Sequence, residues 1–446
     1  MEVDTVDEKI EEVSLDLIQS IKTKTFNEAL EELFQLEKKY RTVGDAISIG
    51  RILVAIVEIH FESSKYQELN EIIITFALKK HLQSEQAIGT MIRKCCEFVD
   101  AIENNSIKMK LLETLKHVTD GKLYAEIERA KICKEFAVMK RNNESDVEGA
   151  IKILEDLRLD TLTSLERKER IEIILQLMEL LIESKEFVKC LIVAKKINKQ
   201  ILDTTLEYQA LKIRFYRLMI TIDKYENYLN TSRHYQFIIN TKVMQSEEQK
   251  EERKKLLSYS IAYCILAPFD HEKLTMMHEL SKHKFISEVP SFRELLKEYT
   301  TIELINWYTM KAQFKDDFLA LEIFDVNTQE GLKCWKDLRT STIEHNIKVF
   351  ATYYQRAYLS HISDFLDINV DETEKHLCNL IVNKSIKAKI DRLTGIITFK
   401  NNHITSEKPT NCQQENVLQD WLHQLSTLMK LIDNTSHLIN KEESEL

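Results

Sequence analysis

The residues closest to a hydrolytic motif are His278-Glu279-Leu280-Ser281-Lys282-His283, which nearly match a zinc-metalloprotease helix. In that motif two histidines four positions apart share one helix face, and an intervening glutamate acts as general base. Here the separation is five. Five positions turn an α-helix by about 500°, which sets the two imidazoles about 140° apart. His271, His278 and His283 are therefore expected to be surface histidines rather than metal ligands. Histidines two positions apart, as a JAMM-type zinc hydrolase needs, occur nowhere. A phosphate-cradling G-x-x-x-x-G-K loop is missing too, because Gly44 and Gly50 are wrongly spaced and no lysine follows. There is no G-x-S-x-G elbow. Paired carboxylates abound, but in an acidic helical chain they carry no information. The expectation is no catalysis, no cofactor and no metal.

The eight cysteines stand at 95, 96, 133, 190, 264, 334, 378 and 412, with no C-x-x-C spacing. Such dispersion argues against a zinc ribbon or a disulfide frame and fits buried thiols in a reducing compartment. Glu2, Asp4, Asp7, Glu8, Glu11 and Glu12 make an acidic start unlike a secretory signal. Apolar runs such as Ile261–Ala267 fall far short of the ~20 residues that span a bilayer. A cytoplasmic or nuclear location, with no membrane partner, is expected.

These residues must be held by a mostly helical framework. Average usage would supply about 31 Gly and about 22 Pro in such a chain; its 446 residues contain 7 and 3. Sheets of any size need far more turn residues than that. The 43% apolar and 30% charged fractions support substantial cores under a solvated surface. A net charge of −10 makes the whole chain a poor polyanion binder.

Phe26, Tyr66, Ile107, Val147, Phe187 and Tyr228 recur at intervals of 40 or 41. Ala29, Ala150 and Cys190 follow three residues after three of them, where a small side chain lets a paired helix approach. A period near 40 is the length of a two-helix unit, and such units stack into a solenoid. Long amphipathic helices of similar length give the same spacing by accident, and either origin makes the segment helical. Leu165 to Ile182 carries a helical apolar stripe that Glu183-Ser184-Lys185-Glu186 interrupts. The charged run 245–255 reads as a solvated helix face leading into the apolar stretch 256–267.

Around residue 340 the pattern changes. Ile343, Ile347, Phe350, Ala351 and Tyr354 mark one helix, and Tyr358 to Leu366 suits a second. Asn369, three residues before Glu372, predicts a capping box opening a third helix that buries Leu377, Leu380 and Ile381. Ile386, Ala388 and Ile390 then alternate with polar residues, Gly395 suits a short turn, and Ile397 and Phe399 share one face of a returning strand. Three helices and a hairpin make a winged helix. Asp371, Glu372 and Glu374 on its third helix would repel phosphate, although Lys384, Lys387, Lys389, Arg392 and Lys400 make the wing basic. Nucleic acid is the less favoured partner. The hairpin's open edge, carrying Ile386, Ala388, Ile390, Ile397 and Phe399, is a candidate for pairing with another chain.

Beyond a polar stretch with Pro409, residues Leu418, Trp421, Leu425, Leu428, Ile432, Thr435 and Ile439 are spaced 3, 4, 3, 4, 3, 4. That is a coiled-coil or bundle seam. Two arrangements satisfy it: packing back on its own domain, or a partner helix in a larger assembly. The candidate interface residues there are Leu418, Trp421, Leu425, Leu428, Ile432 and Ile439.

Ile343-Glu-His-Asn-Ile347, Tyr353-Tyr-Gln-Arg356, Asn369-Val-Asp-Glu-Thr-Glu374, Ala388-Lys-Ile-Asp-Arg392 and Gly395-Ile-Ile-Thr-Phe399 closely resemble a PCI domain. More narrowly they resemble the family of non-ATPase lid subunits of the 26S proteasome regulatory particle numbered five in yeast and twelve in animals. Phe285 to Trp307, Trp421 to Met429 and Thr435 to Glu443 add to that resemblance, which runs the whole chain and is strongest after residue 285. Leu393-Thr394-Gly395 replaces the family's usual Pro-Ala-Gly wing turn, and Ala357-Tyr358 an Ile-Thr pair at a helix start.

The resemblance implies a mostly α protein: a TPR-like helical-hairpin solenoid over 1–230, the helical part of the PCI module over 231–342 and a winged helix over 343–400. A linker over 401–414 and a C-terminal bundle helix over 415–446 complete it. It implies a non-catalytic scaffold in ubiquitin-dependent degradation, with winged helices of neighbouring PCI lid subunits pairing edge to edge and C-terminal helices gathering in a bundle. The implied partners of the hetero-oligomeric complex also include the lid's metallo-deubiquitinase, the ATPase base and the core particle. A PCI scaffold of the COP9 signalosome and an RNA- or initiation-factor-associated PCI protein are the alternatives.

Overall fold

The computed structural model describes residues 26–445, apart from residues 44, 79–84, 103, 145, 158–164, 200, 205–206, 225–226, 384 and 400–410. Helices dominate, and the strands among the described residues form one three-stranded sheet. The chain divides into two compact units, Met1–Leu202 and Asp203–Leu446.

The first unit is built of helical pairs: α1 (Phe26–Val43) with α2 (Ala46–Glu62), α3 (Tyr66–Leu78) with α4 (Glu85–Ala101), and α5 (Asn105–Thr119) with α6 (Glu126–Met139). Next come α7 (Val147–Glu155) with α8 (Arg167–Glu183), then α9 (Phe187–Ala194) and the single turn α10 (Ile201–Thr204) at the division. The recurring residues mark these starts: Phe26, Tyr66, Val147 and Phe187 each open a helix, and Ile107 lies in the first turn of α5. Ala29, Ala150 and Cys190 are fully buried, as the close approach of neighbouring helices requires. Successive pairs also meet helix on equivalent helix over the first three of them: α2 on α4, α3 on α5 and α4 on α6. Ion pairs also link neighbouring pairs of helices: Arg93 with Glu128, Lys134 with Glu172 and Arg141 with Glu183, 35, 38 and 42 residues apart. Each exposed pair contributes at most about 1 kcal/mol, so burial of the apolar faces holds the stack together.

With few glycines available, two described helices of this unit end on residues that fit poorly. Ser64 after α2 and Lys185 after α8 adopt left-handed backbone, with φ of 56° and 61°. Both ends are Schellman motifs: the Lys65 and Glu186 amides donate to the His60 and Leu181 carbonyls. Left-handed backbone costs a non-glycine residue about 1 kcal/mol or more, and glycine gives part of that back as unfolded-state entropy. Lys185→Gly is therefore expected to stabilise the chain by about 0.5 kcal/mol, read as a higher urea midpoint; a lower midpoint would contradict the motif.

In the second unit α11 (Glu207–Asp223), α12 (Tyr228–Ile239), α13 (Lys250–Leu266), α14 (His271–Ser281), α15 (Pro290–Thr300) and α16 (Trp307–Leu319) precede the long α17 (Gln329–Tyr353). There follow β1 (Arg356–Tyr358), α18 (Leu359–Leu366), α19 (Val370–Val382), β2 (Ala388–Asp391), β3 (Ile396–Phe399) and α20 (Asn411–Glu445). Helix α17 belongs to two cores. Its Cys334 and Leu338 lie among Tyr263, Phe292, Phe314, Phe318 and Phe324 of the helical core. Further along the same helix, Ile343, Ile347 and Phe350 lie in the winged-helix core with Ile362, Leu377 and Phe399. The expected start of the winged helix at 343 thus falls inside one continuous helix.

Buried polar groups fix this arrangement. Lys273 Nζ donates to the Ile265 and Ala267 carbonyls at 2.8 and 2.6 Å and to Ser341 Oγ at 2.8 Å, which pins the end of α13 to α17. Burial lowers the Lys273 ammonium pKa to about 8, while the α13 C-terminal carbonyls favour its charge. Asn346 brackets Ile305, accepting from its amide and donating to its carbonyl, both at 2.9 Å. His345 Nε2 lies 3.1 Å from the Glu303 carbonyl, and Tyr353 Oη donates to the Ile302 carbonyl. Together they hold the segment leading into α16 along α17.

Burial pushes the His345 imidazole down to about 4. A lowered histidine pKa means that the unfolded chain binds the extra proton first, so stability is complete above about pH 6.5 and falls as pH drops toward 4. Allowing for the ring's partial exposure, the loss is about 2 kcal/mol. Urea titrations between pH 7 and 4 should show a flatter decline for His345→Gln than for the parent chain. Equal slopes would contradict a titrating, neutral His345.

Candidate interaction site

The sheet that closes the winged helix has the order β1-β3-β2, antiparallel throughout. Gly395, with φ of 65°, forms the turn between β2 and β3, and the Asp391 carboxylate accepts from the Leu393 amide. Leu393, in the altered turn, is fully exposed. Strand β1 is an addition to the expected hairpin; it contains Ala357-Tyr358, and Tyr358 is also the N-cap residue of α18, so the pair stands at the helix start as expected. Ala357 opposes Ile397 and packs on the winged-helix core. The third helix starts where expected, after Asn369, but no side-chain bond caps it; the Thr373 hydroxyl instead donates to the Asn369 carbonyl. Its Leu377 and Leu380 are buried as expected, whereas Ile381 is only half-buried.

Among the candidate residues of the hairpin, Ile386, Ile397 and Phe399 are buried in the chain's own core. Ala388 and Ile390 are half-buried against that core. These side chains support the sheet and present no contact face. What the sheet offers another chain is the backbone edge of β1 or β2, with Tyr358 and Lys389 among the exposed residues beside it. The basic wing is weaker than its composition suggests. Arg392 Nε donates to Glu374 Oε1 at 2.6 Å, Lys387 and Lys389 are exposed, and Lys384 and Lys400 lie outside the described residues.

Helix α20 carries the second candidate surface. It begins at Asn411, four residues before the expected start, whereas the rest of the expected linker, residues 401–410, lies outside the described residues. Trp421 is 66% exposed and Leu425 50%, and Leu428, Ile432 and Ile439 are exposed as well. The side chain of Leu418 lies outside the described residues. Helix α20 touches α14, yet that contact leaves the seam open. Leu422, Met429, Leu431 and Leu438 flank the seam and are also exposed. A stripe this broad suits a helix with neighbours on two sides, because a two-stranded coil covers only the narrow seam.

Among the described residues no three His, Cys, Asp or Glu side chains are grouped to hold a metal. His278 and His283 are half-buried rather than at the surface, and His283 Nε2 lies 3.3 Å from Asn240 Oδ1, while the side chain of His271 lies outside the described residues. The buried pair of His234 and Asp223, 3.0 Å apart, has two members of a hydrolase triad. Among the described residues no hydroxyl or thiol reaches the other ring nitrogen, Nδ1, which has no hydrogen-bond partner there. The charged run 245–255 hides one residue that the solvated-face reading missed. Arg253 is buried and bonded to Glu288, because the chain folds Ile286–Glu288 back over the start of α13.

Family models match three stretches: PSMD12/CSN4 N-terminal over residues 28–247, PCI domain over 296–401 and 26S proteasome regulatory subunit RPN5 C-terminal domain over 415–444. The chain is similar to the 26S proteasome non-ATPase regulatory subunit 12 of Dictyostelium discoideum, 30% identical over 93% of this chain and 89% of the relative. It is similar to the regulatory subunit RPN5 of Saccharomyces cerevisiae, 30% identical over 96% and 93%. Homolog A of subunit 12 from Arabidopsis thaliana is 28% identical over 93% of this chain and 96% of its own length.

Proposed function

The chain belongs to the family of 26S proteasome regulatory subunit 12, or RPN5, and from that premise we propose that it is a non-catalytic scaffold of the regulatory-particle lid. It supports ubiquitin-dependent degradation by holding other subunits in place. The observation that carries this reading is the long C-terminal helix: its apolar seam is exposed at Trp421, Leu425, Leu428, Ile432 and Ile439, and its sequence matches the model of the RPN5 C-terminal domain. A buried aromatic anchor contributes about 2 kcal/mol or more at an interface, and Trp421 with its neighbours offers such an anchor to a helical bundle.

The winged-helix edge pairs with neighbouring PCI subunits, and the helical pairs of the first unit face the lid's metallo-deubiquitinase, the ATPase base and the core particle. A cytoplasmic and nuclear location follows from such an assembly. The half-buried histidines and the incomplete His234–Asp223 pair fit a chain that contributes contacts and no chemistry. Native gels of extracts containing the tagged chain test the reading. Migration of the tag with a 26S-sized band that cleaves a fluorogenic peptide is expected. Migration with a smaller complex lacking that activity, as a signalosome scaffold would show, or with ribosomal particles, would overturn it.

A further inference from the structure

Helices α5, α6 and α7 enclose a groove of about 790 Å³ on the first unit. Its floor is apolar, with Met109, Phe136 and Ile153. Its rim carries Lys110, Lys116, Lys140 and Lys152 against one lining carboxylate, Glu113. Lys116 pairs with Asp156 at 3.3 Å and Lys140 with Asp146 at 3.3 Å. Lys110 and Lys152 are exposed and have no ion-pair partner among the described residues. In a chain of net charge −10 such a rim is a local reversal of sign, and it favours an acidic ligand with an apolar face.

The chain itself contains such a segment. Val3, Val6, Ile10, Val13 and Leu17 recur at intervals of three and four. Between them stand seven carboxylates, Glu2, Asp4, Asp7, Glu8, Glu11, Glu12 and Asp16, against Lys9 alone. As a helix the segment would place its apolar residues along one stripe and most of its charge beside it. Reach is no obstacle: α5 begins the third helical pair, and helices pack about 10 Å apart. As a helix, sixteen residues would span about 24 Å, and the eight residues between position 17 and α1 could reach at most about 27 Å.

We propose that the acidic segment 2–17 docks on the lysine-rimmed groove of its own chain, its apolar stripe on Met109, Phe136 and Ile153 and its carboxylates toward Lys110 and Lys152. Tethering sets an effective concentration near the millimolar range, so a contact of only about 100 μM intrinsic affinity would be about ten to one closed.

Hydrogen exchange on the full chain tests it. Asp4→Lys, Asp7→Lys, Glu8→Lys and Glu11→Lys together should speed exchange in peptides from 105–116 and 147–155 about tenfold. Lys110→Glu with Lys152→Glu should do the same, and the two sets combined should restore protection by exchanging the charges. Peptides from α2 and α13 report whether each variant is folded. Equal exchange in all chains, or acceleration that the charge exchange leaves uncorrected, overturns the proposal. Protection that grows with chain concentration also overturns it, because the occupant is then a second molecule.

Discussion

Replacing Trp421 and Leu425 together by alanine is expected to leave the free chain folded while weakening its association with partner helices about a hundredfold or more. The two halves of that result have separate causes. In the free chain both side chains are at least half exposed, so their truncation removes little burial, and alanine is the best helix former. Changes at exposed positions usually stay within about 0.5 kcal/mol. In the bundle the same side chains become buried anchors, and losing two costs about 3 kcal/mol or more. Thermal melting of the free chain and quantitative co-purification of the tagged chain's partners separate the two. A large fall in melting temperature with association unchanged would show that the helix packs on its own domain. Leu428→Ala with Ile432→Ala lies on the same seam and should behave alike.

A second large effect is expected inside the chain. The Arg253 guanidinium donates to both oxygens of Glu288, at 3.1 and 2.6 Å, and to the Met244 and Ser246 carbonyls at 3.0 and 3.2 Å. Its centre lies 4.1 Å from the Phe285 ring centroid. One side chain therefore ties the turn before α13 to the Ile286–Glu288 turn. Arg253→Met keeps volume but leaves a mostly buried carboxylate and two carbonyls without their donor, which costs about 3–5 kcal/mol. Arg253→Lys keeps the charge and loses the bidentate fork, so it should fall between the parent and Arg253→Met. Trp307 and Trp335 pack against the same core, so tryptophan fluorescence in urea reports this unit. A loss below about 1 kcal/mol for Arg253→Met would place Arg253 among ordinary surface pairs.

Much of the fold was legible because its signals are local. An aromatic or branched residue at or near the start of each helical pair, followed in three cases by a small residue where helices touch, survives in sequence as a 40-residue period. The winged helix was legible for a similar reason: three apolar stripes followed by a change from helical to alternating period around Ile386 to Phe399. Strand β1 was missed because three residues, Arg356–Tyr358, are too few to show a period. Its pairing with β3 is fixed by partners far along the chain, Ile396 to Thr398.

Burial of charge was the other blind spot. Arg253 and Lys273 look like members of charged surface runs, and only tertiary neighbours, Glu288 for one and the end of α13 for the other, make them internal. The same logic divides the candidate interface residues. Alternation could place Ile386, Ile397 and Phe399 on one face but could not say that the chain's own helices cover that face. For Trp421 and its neighbours the seam was visible, and the structure adds that they remain exposed in the single chain.

The scaffold reading is tested most directly by affinity purification of the tagged full-length chain at gentle salt, with partners identified by mass spectrometry and peptidase activity assayed in the eluate. Proteasome lid, base and core subunits recovered together with ATP-stimulated peptidase activity are the predicted result. Recovery of signalosome subunits, or of ribosomes and RNA without proteasome subunits, would contradict it.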